Sequence, residues 1–102
     1  MLPTVPLESF VVNLADADAR YFLKTTIAVE LTKADLVPQV EKRKDKIKDA
    51  ILLLLSGKTS LQVRDAKGKL KLKQEITLRL NEILGTNAVS DVMFTEFIIS
   101  QG

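Results

Sequence analysis

The chain has 102 residues and a mass of 11.3 kDa, a length that fits one domain and not two. Hydrophobic residues make up 46% and charged residues 27%, with a formal net charge of +2, which excludes a disordered chain. The absence of His and Cys excludes histidine bases, thiolate nucleophiles and imidazole or thiolate metal sites. So small a domain has little volume for a deep catalytic cavity, so we expect it to act through its surface.

No part of the sequence is apolar for long enough to span a bilayer. The longest apolar run, Ala50 to Leu55, has six residues, whereas a membrane helix needs about 20. A signal peptide is not expected either, because Met1 is followed directly by LPTVP rather than by a basic stretch and an apolar segment. If Met1 starts a piece of a longer protein, the sequence is compatible with an anchor or a targeting segment upstream of it.

Two strands are predicted in the first third of the chain, from Glu8 to Leu14 and from Tyr21 to Leu31, because both are rich in apolar and β-branched residues. The loop between them contains Asp16 and Asp18 and joins the strands as a hairpin. Alternation along the second strand predicts one core-facing side, formed by Tyr21, Leu23, Thr25, Ile27, Val29 and Leu31.

The two aspartates of that loop stand at alternate positions, as the carboxylates of a calcium-binding loop do. The glycine and the distal bidentate glutamate of such a loop are missing. We therefore expect a solvated turn here and no metal site.

Helices are predicted in the middle of the chain from apolar residues at helical spacing. The first runs from about Leu36 to Ser56, with Asp35 as its cap and Gly57 as its stop. Thr59 and Gln62 then have the spacing of a capping box. They predict a short helix that ends near Ala66, before Gly68.

A third helix is predicted from about Lys69 to Leu84, with Leu80 and Ile83 packing on the sheet and Gly85 after its last turn. The final segment, Val89 to Gln101, is a β-rich run that has apolar residues on both faces, so we expect burial on both sides. The predicted fold class is therefore α+β, with a small sheet of about three or four strands and two to three helices packed on it.

Basic residues are concentrated in one part of the chain. Residues 42–73 carry eleven cations and three acids, a charge of +8, and the remainder carries −6. This asymmetry is compatible with nucleic acid, an acidic protein partner, anionic lipid headgroups or a solvated helix face. Nucleic acid is disfavoured because the stretch contains no aromatic residue for base stacking and only two Arg. The densest part is the candidate partner surface, formed by Lys42, Arg43, Lys44, Lys46 and Lys48.

Two other patterns in the sequence give little support for a catalytic or phosphate-binding site. Asp45 and Asp49 lie four residues apart on one helix face, but among lysines they predict ion pairing and not acid–base catalysis. The sequence GKTS at Gly57 to Ser60 matches the end of a phosphate-binding loop. However, Leu52 stands where that loop needs its first glycine, and a helix precedes the match instead of a strand.

Taken together, five segments resemble the C-terminal periplasmic domain of the flagellar basal-body-associated protein family FliL. No segment is specific alone, but their order and spacing cover nearly the whole chain. The basic density of residues 42–48 exceeds what the family leads us to expect. The matching segments are FVVNL at Phe10 to Leu14, RYFLKTTIAVEL at Arg20 to Leu31, IKDAILLLLS at Ile47 to Ser56, GKLKLKQEITLRLNEIL at Gly68 to Leu84 and VSDVMFTEFIISQ at Val89 to Gln101.

The resemblance implies that residues 1–102 form a single periplasmic, stomatin-like (SPFH) domain of a bacterial inner-membrane protein, whose membrane helix precedes this chain. It further implies a non-enzymatic role at the flagellar basal body, with no cofactor. There the domain would self-associate, as a ring around the ion-driven stator, and support torque and motility. The alternative is a basic α+β module that binds nucleic acid or anionic lipid, and a hydrophobic helix upstream in the full-length gene would separate the two.

Overall fold

A computed structural model describes all 102 residues as one antiparallel sheet with helices packed on it. This arrangement confirms the predicted α+β class; the stomatin-like topology that the resemblance implies stays a prediction. A 3₁₀ turn at Ala34–Leu36 precedes the first helix. The strands are β1 (Thr4–Asn13), β2 (Tyr21–Leu31) and β3 (Val89–Gln101), and the helices are α1 (Val37–Lys42), α2 (Lys44–Ser56), α3 (Ser60–Arg64) and α4 (Ala66–Leu84).

The strand order is β1-β2-β3, which makes β2 the central strand. Its predicted core face is confirmed, since Tyr21 is half-buried and the other five side chains of that face are buried. The structure also confirms that Leu80 and Ile83 of α4 face the core, where they join Leu72 and Ile76. The helices and the sheet thus share one hydrophobic core.

Strand β1 begins at Thr4, four residues before the predicted start at Glu8, and ends at Asn13 rather than Leu14. Pro6 argues against a strand in sequence reasoning, but an edge strand tolerates proline because it does not need every N–H for pairing. The strand also contains an irregularity between Pro6 and Glu8, and Glu8 has a φ of 69°. A β-bulge of this kind is typical of a sheet edge.

The first predicted helix is interrupted. Arg43, with φ −111° and ψ 19°, separates α1 from α2, which is why the structure has four α-helices. The expectation that Asp35 caps the helix is wrong, because Asp35 lies inside the 3₁₀ turn and the residue before α1 is Leu36. Pro38 lies in the first turn of α1, where a backbone N–H has no partner within the helix, so the missing N–H of proline costs nothing there.

The predicted capping box at α3 is confirmed, with Thr59 and Gln62 exchanging both of its hydrogen bonds. Helix α4 starts at Ala66, three residues earlier than predicted, and Gly68 lies in its first turn instead of ending the preceding helix. Asp65 caps α4 by accepting a hydrogen bond from the Gly68 N–H at 2.8 Å. Gly85 ends α4 in the left-handed conformation, with a φ of 70°.

The bounds predicted for β3 are confirmed, but its expected burial on both faces is wrong. Strand β3 is an edge strand, and only Val89 and Val92 are buried. Ile98, on the face without helices, is 48% exposed. Half-buried aromatic and apolar residues extend along the helix-facing side at Phe94, Phe97 and Ile99.

Candidate functional site

The five residues of the predicted partner surface lie at the α1–α2 junction. They are neighbours in the sequence and lie close together in the structure, but their side chains have different contacts. Lys44 pairs with Glu41 and Lys48 pairs with Glu8, each at 3.8 Å. Both are solvent-accessible contacts, of the kind that contribute at most about 1 kcal/mol.

Arg43 is engaged within the molecule. Its guanidinium Nη1 donates a hydrogen bond of 2.6 Å to the carbonyl oxygen of Ile83, in the last turn of α4. A cation at this position also interacts favourably with the negative end of the helix dipole. We therefore assign Arg43 to fastening α4 onto the α1–α2 junction.

Lys42 and Lys46 are the two exposed lysines of the set that take no part in an ion pair. Asp45 and Asp49 lie on α2, the helix that carries Lys46, so part of the positive charge at the junction is neutralised locally. The surface available to a partner is smaller than the sequence indicated.

The basic stretch of the sequence forms two separate patches. The Arg43 contact places the α1–α2 junction beside the C-terminal end of α4. Lys69, in contrast, lies near the N-terminal end, fourteen residues before Ile83, which corresponds to about 20 Å along a helix. The lysines of this second patch are Lys67, Lys69, Lys71 and Lys73.

Two of these α4 lysines contact aromatic rings of β3. The Nζ of Lys69 is 4.7 Å from the ring centroid of Phe97, and that of Lys73 is 5.8 Å from Phe94. The two rings are themselves 5.2 Å apart. Sequence reasoning missed this cluster because the rings lie more than twenty residues from the lysines in the chain. The conspicuous signal was the apolar and aromatic content of the last strand.

The β1–β2 loop holds no metal ligand set. No group of three or more His, Cys, Asp or Glu side chains is placed to bind a metal ion. Both carboxylate oxygens of Asp16 are occupied by Ser60: Oδ1 accepts its backbone N–H at 2.8 Å and Oδ2 accepts its hydroxyl at 2.7 Å. The loop is therefore tied to α3, whereas the sequence indicated only a solvated turn.

The pKa of Asp16 is held below its usual value of 3.8 by these hydrogen bonds. The bond from the Ser60 hydroxyl has the largest effect. A lowered folded-state pKa stabilises the protein above the unfolded pKa, and the stabilisation disappears as the pH falls through the folded pKa. We expect Asp16→Asn to lower the melting temperature at neutral pH. The gap to the parent should narrow as the pH falls below 3.8 and through the lowered folded-state pKa of Asp16, because the carboxylate then becomes protonated.

Thermal unfolding across this pH range measures the effect. Asp18→Asn is the matched control, because Asp18 lies exposed in the same loop and makes no side-chain hydrogen bond. A constant gap between the parent and Asp16→Asn at every pH would contradict the assignment of the ionised carboxylate to this contact.

The remaining surface offers open hollows. One of about 510 Å³ lies between α4 and β3, bordered by Leu70 and Leu78. Another, of about 260 Å³, is lined by Lys46, Leu53 and Arg79. None of the helices has the length and apolar character needed to cross a membrane. Leucine side chains border both hollows.

Comparison with known proteins identifies relatives over nearly all of the chain. The family described as "Flagellar basal body-associated protein FliL" matches residues 4–99. The flagellar protein FliL of Aquifex aeolicus (strain VF5) is 39% identical over 90 residues, which are 88% of this chain and 56% of that protein. The flagellar protein FliL of Bacillus subtilis (strain 168) is 28% identical over 94 residues, 92% of this chain and 65% of that protein.

These matches confirm the resemblance that the strands and helices indicated. They do not favour the alternative of a basic module for nucleic acid or anionic lipid. FliL is a family of flagellar accessory proteins and not a family of enzymes. The chain belongs to the FliL family of flagellar basal body-associated proteins.

Proposed function

We propose that this chain is the periplasmic domain of a non-enzymatic accessory protein of the flagellar motor. In this proposal the domain self-associates as a ring around the ion-driven stator and supports torque, motility or swarming. The observation that carries it is the FliL match over residues 4–99. Because the chain spans only 56% of the Aquifex relative, the role of the whole protein, and its anchorage in the bacterial inner membrane, belong to the proposal.

Features of the surface support a role in protein binding. Four leucines on three helices are more than half exposed, namely Leu53, Leu61, Leu70 and Leu78. Large apolar side chains left in water are typical of protein interaction sites when they lie close together. Leu70 and Leu78 border one hollow, and Leu53 borders another.

We also propose that the α1–α2 junction contacts a partner in the motor through Lys42 and Lys46. Both side chains are exposed and take part in no ion pair, so each could form an ion pair with a carboxylate of a partner. Lys44 and Lys48 belong to the same surface, but the charge of each is partly neutralised by the glutamate that it contacts. Arg43 supports the surface from within by holding α4.

The test is replacement of the chromosomal gene by a double variant, Lys42→Glu and Lys46→Glu, followed by measurements of swimming and swarming and of co-purification with the stator. We expect an intact fold, because neither lysine is buried, together with reduced motility and loss of stator association. The control is Lys67→Glu with Lys71→Glu, an equal charge change near the other end of α4. Normal motility and stator association in the first variant would contradict the proposed contact.

A further inference from the structure

Strand β3 presents an unpaired backbone edge to solvent. It pairs only with β2, and the N–H of Gly102 donates to the carbonyl oxygen of Arg20 at 2.9 Å. In an antiparallel ladder, hydrogen-bonded and non-hydrogen-bonded residue pairs alternate. With the observed register, the N–H and C=O groups of Phe97, Ile99 and Gln101 therefore point away from β2.

The two edges of the sheet differ in how well they can accept another strand. On β1, Pro6 lacks an N–H and Glu8 forms part of a bulge, two devices that blunt an edge. The last six residues of β3, Glu96 to Gln101, pair with β2 in continuous register and contain neither proline nor lysine. The register of β3 shifts at Thr95 and at Ser90, so the part of the sheet open to regular strand addition is the β3 edge from Glu96 to Gln101.

A groove on the helix-facing side of the sheet lies farther along the same strand, toward the start of β3. It has a volume of about 510 Å³ and is lined by Leu70, Gln74 and Leu78 of α4 and by residues 90–92 of β3. Leu78 is 65% exposed. Alternate side chains of an added strand would project into this groove, because side chains alternate between the two faces of a sheet.

The charges along the groove are unequal. Lys69 and Lys73 lie over the rings at the Phe94–Phe97 end, and neither takes part in any of the five ion pairs of the molecule. Asp91 borders the groove farther along β3, toward the start of the strand. A complementary segment therefore needs acidic side chains near the lysines and apolar side chains near Leu78.

Second copies of this chain fit the edge less well. An antiparallel β3 from another copy would place its α4 on the same face of the extended sheet, so that Lys69 and Lys73 of both copies would face each other across the junction. Strand β1 of another copy would present Pro6 and the bulge at Glu8. Both arrangements are unfavourable, the first through like charges and the second through missing hydrogen bonds.

We infer that the β3 edge and the α4 groove form a docking site for an extended segment of a partner protein, which adds a fourth, antiparallel strand to the sheet. The groove-facing side chains of that segment are acidic in its N-terminal half, opposite Lys69 and Lys73, and apolar in its C-terminal half, beside Leu78. Main-chain hydrogen bonds to Phe97 and Ile99 supply affinity, and the groove supplies specificity. This site is separate from the Lys42 and Lys46 surface.

The probe is a capped, fluorescently labelled peptide of sequence Glu-Thr-Glu-Thr-Val-Thr-Val-Thr, titrated with the 102-residue chain. The control probe replaces both glutamates by lysine. We expect saturable binding of the acidic probe, about tenfold tighter than that of the basic one, which corresponds to two exposed ion pairs. Hydrogen exchange followed by NMR should show new protection of the Phe97 and Ile99 amides in the acidic complex.

Matched variants locate the site. Leu78→Gln should weaken binding of the acidic probe several-fold, whereas Leu53→Gln, at an equally exposed leucine (66%) outside the groove, should not. Lys69→Ala with Lys73→Ala should abolish the preference for acid, and Lys67→Ala with Lys71→Ala should keep it.

Three results would overturn the inference: no saturable binding at millimolar acidic probe, equal binding of the two probes, or unprotected Phe97 and Ile99 amides in the complex. Protection of these amides that rises with protein concentration in the absence of probe would assign the edge to a second copy, and would overturn it as well.

Discussion

Leu80→Ala is expected to lower the free energy of unfolding by about 2 to 5 kcal/mol, through lost burial and the cavity left behind. Leu80 is 1% exposed and lies on the α4 face that packs on the sheet. Because a domain of this size is stable by only about 5 to 15 kcal/mol, this single change removes a large part of the total. Chemical denaturation with a two-state fit gives the value.

The matched control for this variant is Leu78→Ala, two residues away on the same helix but 65% exposed. We expect its free energy of unfolding to stay within about 0.5 kcal/mol of the parent. Equal destabilisation by the two substitutions, or an unchanged Leu80→Ala protein, would contradict the assignment of the buried face of α4.

Gly68→Ala is expected to destabilise the protein by about 1 to 3 kcal/mol or more, although alanine is the better helix former by about 1 kcal/mol. An added Cβ would overlap the carbonyl oxygen of Gln62 and lie 2.9 Å from its carbon. That backbone cannot move away easily, because the Thr59 capping box and the buried Val63 hold α3 in place. The steric term therefore exceeds the propensity gain.

Gly57→Ala provides the comparison. There an added Cβ would have only ordinary contacts, of 3.6 and 3.7 Å, with backbone oxygens of α2. We expect a change between zero and a stabilisation of about 1 kcal/mol. Thermal unfolding of both variants measures the difference. A Gly68→Ala protein as stable as the parent would show that the junction between α3 and α4 does not need a glycine.

Much of the fold could be predicted from local patterns. The bounds of β2 and β3, the buried face of β2 and the capping box at Thr59 all follow from side-chain alternation or fixed spacing, and all are confirmed. These features depend on residues that are close in sequence. The family resemblance rested on five segments, of which β2 and β3 are two.

The break between α1 and α2 could not be predicted in this way. Glu41, Lys42, Arg43 and Lys44 all favour helix, so propensity gives no signal for an interruption. The break coincides with a hydrogen bond from Arg43 to Ile83, forty residues away in the chain. Only the packing of α4 against the junction brings these two groups together.

The edge position of β3 was missed for a related reason. Apolar residues on both faces of a strand indicate burial on both sides, but they also occur where a strand binds a partner. The sequence does not distinguish the two, because strand order is decided by long-range pairing. Ile98 and Phe97 therefore had no predicted role, and the groove beside α4 could not be anticipated.

The candidate site shows the same limit. A run of lysines indicates a charged surface, and the five residues from Lys42 to Lys48 do lie together. Yet charge density alone did not reveal that Arg43 fastens α4, or that Lys69 and Lys73 lie on aromatic rings. Both facts depend on the position of α4 relative to elements distant in sequence.

Self-association is the central claim of the proposed function, and the molar mass of the chain in solution tests it most directly. Membrane tethering raises the effective concentration of neighbouring domains, so the untethered chain should associate weakly. We predict that light scattering shows a mass that rises across a concentration series. Fusion to an oligomeric anchor should then give a closed assembly larger than the anchor itself dictates. A strictly monomeric mass at the highest concentrations, with a fusion no larger than its anchor, would contradict the ring.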